Sequence, residues 1–142
     1  MKRLVWIVML SLGLAARGAG AADAPVGQWK TVDEKSGAVQ SVVEIYDQGG
    51  KLFGKIASLT KPADEQGKPK LCTKCTGADK DKPIVGLIIV KGLGADGAHW
   101  KGGTILDPDD GKVYNAELWV EDGKLKVRGY LGFFYRTQTW VK

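Results

Sequence analysis

One histidine, two cysteines and two methionines stand in this 142-residue chain, and each shortage closes off a class of chemistry. The lone His99 has no local partner, so spacing suggests no Ser-His-Asp set, and a zinc site built on Cys72 and Cys75 would need two further ligands. The cysteine pair also lacks the following histidine that covalent haem attachment requires. No helix signal competes in residues 23–142, and there is no internal repeat, no tandem Gly/Ser run and no domain boundary. These absences leave no catalytic residue, cofactor or metal set to name. The expectation is a protein that is not an enzyme.

Long apolar runs are equally scarce. The longest is Leu4–Ala16, 13 residues behind the basic Met1-Lys2-Arg3 and ahead of Ala19-Gly20-Ala21-Ala22. A membrane-crossing helix needs about 20 apolar residues, so this stretch reads as a secretory signal peptide over 1–22 rather than a retained anchor. Cleavage after Ala21 or Ala22 would leave one domain, 23–142, in the periplasm or outside the cell, with no membrane span. The formal net charge of +5 shrinks with the leader: of 21 lysines and arginines, Lys2, Arg3 and Arg17 depart, leaving 18 against 16 acidic residues. A balance that small, with lysines scattered along turns, gives no footprint for nucleic acid.

The mature region consists of apolar stretches of strand length cut by turn segments. Eight strands are expected, at about 26–32, 38–47, 51–59, 84–93, 98–107, 113–120, 124–131 and 135–141. Asp33–Gly37, Asp47–Gly50, Gly94–Gly97, Asp107–Gly111 and Glu121–Gly123 supply the glycine and aspartate that tight turns favour. Leu125, Val127, Gly129 and Leu131 alternate with Lys124, Lys126, Arg128 and Tyr130, a two-residue period with one drier face. The fourth run, Ile84–Val90, is apolar on both faces and predicts a strand covered on its outer side as well. Short connections make an up-and-down meander, and closure removes its exposed edges. The fold expected is all-β: an eight-stranded antiparallel barrel. Asp107-Pro108-Asp109-Asp110-Gly111 superficially resembles a calcium loop, but Leu118 stands where the bidentate glutamate belongs, so it is read as a turn.

A long loop at 60–83 interrupts the meander and carries Cys72-Thr73-Lys74-Cys75. In an oxidising compartment the two cysteines are expected to pair. A dithiol redox centre and a metal site are the alternatives, although thioredoxin-type motifs open a helix and these flanks are rich in Lys, Pro and Gly.

Gly27-Gln28-Trp29 on the first strand resembles the G-x-W signature of lipocalin-like barrels. That resemblance implies a Trp29 packed across the closed end, beneath a basic residue from the last strands, with Arg136 expected ahead of Arg128. Trp29-Lys30-Thr31, Val43-Glu44-Ile45-Tyr46, Pro83-Ile84-Val85-Gly86-Leu87, Gly102–Pro108, Gly111-Lys112-Val113-Tyr114, Leu125–Tyr130 and Arg136-Thr137-Gln138-Thr139-Trp140, in that order, are similar to the DUF2147 family of exported bacterial proteins. The resemblance implies a small secreted barrel with no established activity, and Cys72-x-x-Cys75-x-Gly77 looks like a feature of many members.

Trp100, Arg128, Tyr130, Phe133, Phe134, Arg136 and Trp140 remain as candidate ligand-binding residues. Core packing and outer patches would account for most of them. A barrel mouth lined by them would instead bind a small hydrophobic or amphipathic ligand. The competing expectation is a filled barrel that meets an envelope protein partner through the long loop or the Phe133-Phe134 tip. Interior volume separates the two.

Overall fold

The computed structural model describes residues 24–142; the expected leader lies outside the described residues. Eight strands follow one another in a single antiparallel sheet: β1 Gly27–Val32, β2 Val39–Gln48, β3 Lys51–Leu59, β4 Ile88–Asp96, β5 His99–Leu106, β6 Val113–Glu121, β7 Lys124–Leu131 and β8 Phe134–Trp140. Every strand pairs with its neighbours in sequence. The first and last meet at one bridge, where Lys30 and Val141 exchange backbone hydrogen bonds of 2.6 and 3.0 Å. The product is a nearly closed barrel.

Turn chemistry places the reversals. The Asp33 carboxylate accepts the backbone N–H groups of Lys35 and Ser36, closing the β1–β2 turn. Asp107 and Asp110 do the same for Asp109 and Lys112 in the β5–β6 turn, which commits two of the three carboxylates of the Asp107–Gly111 segment to backbone donors.

The fourth strand departs from expectation. Residues 84–87 form a turn, with the Leu87 N–H bonded to the Ile84 carbonyl, and β4 begins only at Ile88. Gly86 at φ +92° bends the chain there, a geometry that a β-strand of L-residues does not hold. The doubly apolar run is therefore part turn and part strand. Val85 and Ile88 are exposed, while Leu87 and Val90 enter the core.

Segment 60–83 is built from short pairings. Ala63 bridges Pro69, Leu71 bridges Pro83, and Gly77–Asp79 makes a turn of 3-10 helix. Cys72 and Cys75 are disulfide-bonded and both fully buried in the main core. The segment leans on the β5–β6 turn: Cys72 Sγ lies 3.9 Å from the Pro108 carbonyl oxygen, and Lys74 backs onto Gly111 so closely that a Cβ there would stand 1.9 Å from the Lys74 carbonyl oxygen.

Candidate functional site

The meander gives the barrel two unlike ends. The β2–β3, β4–β5 and β6–β7 turns gather at one, where Trp29, Leu52, Leu93, Leu118 and Leu125 are buried. The Trp29 indole N–H donates to the Pro25 carbonyl at 2.7 Å. Its ring is covered by a lysine: Lys142 Nζ stands 4.3 Å from the ring centroid, and Gly27 beside it leaves the room. The expected arginine cover is corrected by the register at the seam. Lys30 pairs with Val141, so the residue beside Trp29 is Lys142, while Arg136 lies six residues back toward the start of β8, about 20 Å at strand rise. Arg128 faces away from the interior.

At the other end meet the β1–β2, β5–β6 and β7–β8 turns and the long loop, and here the interior stays open. A cavity of about 680 Å³ runs in among them. Its wall is apolar where Ile56, Leu59, Ile84, Ile105, Val127 and Trp140 contribute, and polar where Thr31, Ser41, Gln138 and Tyr114 do. Thr31 and Ser41 hydroxyls hydrogen-bond at 2.6 Å, and the Tyr114 hydroxyl donates to Asp110 at 2.6 Å. Burial pushes the Asp107 carboxyl above its ordinary range, partly opposed by the Asp109 backbone N–H.

Strand pairing decides which candidates reach this cavity. Leu125, Val127 and Gly129 on β7 pair with Trp140, Gln138 and Arg136 on β8, and that face turns inward. Trp140 and Arg136 therefore line the cavity, joined by Gln138, which sequence reasoning missed. Trp100 pairs with Leu118 and packs partly buried against the core, away from the opening. Phe133 and Phe134 project from the β7–β8 tip, Phe133 wholly exposed.

Arg128 and Tyr130 belong to the outer wall and meet a cluster that the sequence did not disclose. Glu117 on β6 is only 7% exposed although it points outward. It accepts hydrogen bonds from the Tyr130 hydroxyl at 2.6 Å and from His99 Nδ1, with Lys101 Nζ at 3.5 Å. Burial raises its pKa, but those hydrogen bonds and the neighbouring positive charge outweigh it, so the net direction is down. His99 stacks on Trp119 at 4.8 Å, and Arg128 spans the Trp119 and Tyr135 rings at 4.9 and 4.5 Å. Both carboxylate oxygens of Glu117 are engaged within the cluster.

A family model described as an uncharacterized protein conserved in bacteria (DUF2147) matches residues 27–142. Among solved structures, the chain is similar to a protein from Helicobacter pylori described as belonging to the lipocalin family, at 20% identity and a TM-score of 0.68, over 82% of this chain and 81% of that one. A comparison with curated proteins finds no match. The likeness to the Helicobacter protein is one of fold.

Proposed function

Since this chain belongs to the DUF2147 family and folds as a lipocalin-like barrel, we propose that it is an exported, non-enzymatic protein that binds a small amphipathic ligand in the cavity at its open end. The observation that carries this reading is the unfilled volume of about 680 Å³. An eight-stranded barrel has room either for its own side chains or for one small ligand, and ligand sites run from about 300 to 1,000 Å³. Mixed walls, aliphatic on one side and hydroxyl, amide and guanidinium on another, suit a molecule with an apolar body and a polar head. Export to the periplasm is supported by the leader pattern of residues 1–22.

Native mass spectrometry of protein purified from the periplasm tests the reading: a retained small molecule, lost on unfolding, is the expected result. A bare polypeptide mass that no added amphiphile changes would overturn it. The second reading, contact with an envelope protein, is supported by the fully exposed Phe133 and the neighbouring Phe134 and Leu131 at the same end.

A further inference from the structure

The charges around the open end are unevenly engaged. Asp33, Asp107 and Asp110 also line the cavity, but each accepts backbone N–H groups of its own turn, and Asp110 takes the Tyr114 hydroxyl as well. Asp109 is the cavity-lining carboxylate with no such bond among the described residues. On the cationic side stand Lys61, Lys70 and Arg136.

Arg136 is distinctive in its placement. It sits on the inward face of β8 opposite Gly129, which has no side chain to cover it. Among the described residues its guanidinium makes one hydrogen bond, from Nη2 to Glu34 Oε2 at 3.0 Å, which leaves four of its five N–H groups unused there. That bond also crosses the barrel's weakest line. Beyond the Lys30–Val141 bridge no further pairing joins β1 to β8 among the described residues, and Arg136–Glu34 is what links the two sides toward the open end. Both side chains are more than half exposed, and an ion pair so hydrated is held weakly.

We infer that Arg136 anchors the negatively charged head of an amphiphile whose tail lies along Ile56, Leu59, Ile105, Val127 and Trp140, with Glu34 holding the guanidinium until the head displaces it. The inference rests on the cavity reading above and names its ligand class. A carboxylate or a phosphate offers a guanidinium two parallel hydrogen bonds where Glu34 takes one, and such bidentate pairs are the stronger ones. Shared chemistry, an anionic head on one apolar chain, fits both groups.

The test is a fluorescence titration of the purified mature protein with 11-(dansylamino)undecanoic acid and with its methyl ester, repeated on Arg136→Gln and Glu34→Gln. Dodecyl phosphate and dodecyltrimethylammonium serve as competitors. The acid should bind at least about tenfold tighter than the ester. Arg136→Gln should bring the acid and ester affinities to within about twofold of each other, and Glu34→Gln should tighten acid binding by a few fold. Displacement by dodecyl phosphate as readily as by unlabelled dodecanoate would mark a general anion anchor, whereas displacement by dodecanoate alone would narrow it to carboxylates. If acid and ester bind alike, or if the ammonium competitor displaces best, the anchor is wrong and the cavity reading stands. If neither probe binds the wild type, both fail.

Discussion

Lys142 lies over the face of Trp29, its Nζ 4.3 Å from the ring centroid, and closes the packed end of the barrel. The indole is 2% exposed, and its N–H is taken by Pro25. A cation held against an aromatic face contributes about 0.5–2 kcal/mol, whereas truncating a buried tryptophan removes about 3–5 kcal/mol. Trp29→Ala should accordingly be among the most damaging single changes, and Lys142→Ala a mild one. In a double-mutant cycle built on Trp29→Phe, which is expected to fold, Lys142→Ala should show coupling and Arg136→Ala none. Coupling to Arg136 would mean that the last strand is shifted in register.

The disulfide is local in sequence but not in packing. A ring between residues 72 and 75 constrains the unfolded chain by roughly 2 kcal/mol in the loop-entropy account. Both sulfurs, however, are buried in the main core beside the β5–β6 turn. Replacing both cysteines by serine would also place two hydroxyls in that apolar site, at about 1–3 kcal/mol each. Cys72→Ser/Cys75→Ser should therefore lose more stability than simple reduction of the wild type. Urea midpoints of the oxidised, reduced and double-serine forms check this; equal midpoints for the last two would show that burial adds nothing.

Gly103 on β5 faces the backbone of β4 with no room to spare. A Cβ built there would stand 2.1 Å from the Lys91 carbonyl oxygen and 2.8 Å from the Gly92 carbonyl carbon, both main-chain atoms that cannot swing aside. Gly103→Ala is expected to force β4 and β5 apart and to lower the thermal midpoint far more than Gly94→Ala, whose Cβ would meet only the Lys101 carbonyl oxygen, at 3.9 Å. Similar midpoints for the two variants would show that the strands can separate at little cost.

Glu117 gives the fold an acid limb. Burial opposes its charge, but Tyr130, His99 and Lys101 lower its folded pKa below the ordinary carboxylate value of about 4.3. A depressed carboxylate contributes stability that is complete above its unfolded pKa and disappears as pH falls through the folded one. Glu117→Gln should therefore be less stable than wild type at neutral pH, with the gap narrowing as pH drops below about 4. Denaturation curves between pH 7 and pH 3 measure it. A gap that stays constant would assign the loss to packing rather than charge.

Much of the architecture was legible because each signal is short-ranged. Turn residues such as Asp33 and Asp107 fix reversals through their own side chains, and the two-residue alternation of Leu125, Val127 and Gly129 names an inner face. Strand β8 carries no such contrast: Arg136, Gln138 and Trp140 oppose Tyr135, Thr137 and Thr139, neither face being dry, so Gln138 could not be placed in the cavity until its pairing with Val127 was known. The apolar run at 84–90 misled for a related reason. Hydropathy does not register a bend, and Gly86 makes one. Nothing local in the sequence marks Glu117 as buried. Its burial depends on residues from β5 and β7 that only the sheet brings beside it.

Whether the open-end cavity is the ligand site is tested most directly by mapping amide chemical shifts of the isotope-labelled mature protein during a titration with decanoate. Perturbations are expected to saturate together at Ser36, Ser41, Ile105, Asp109, Arg136, Gln138 and Trp140, residues that share the cavity but come from three separate stretches of the chain. Shifts confined to His99, Glu117, Trp119 and Arg128 on the outer wall, or no saturable shift at all, would contradict the account.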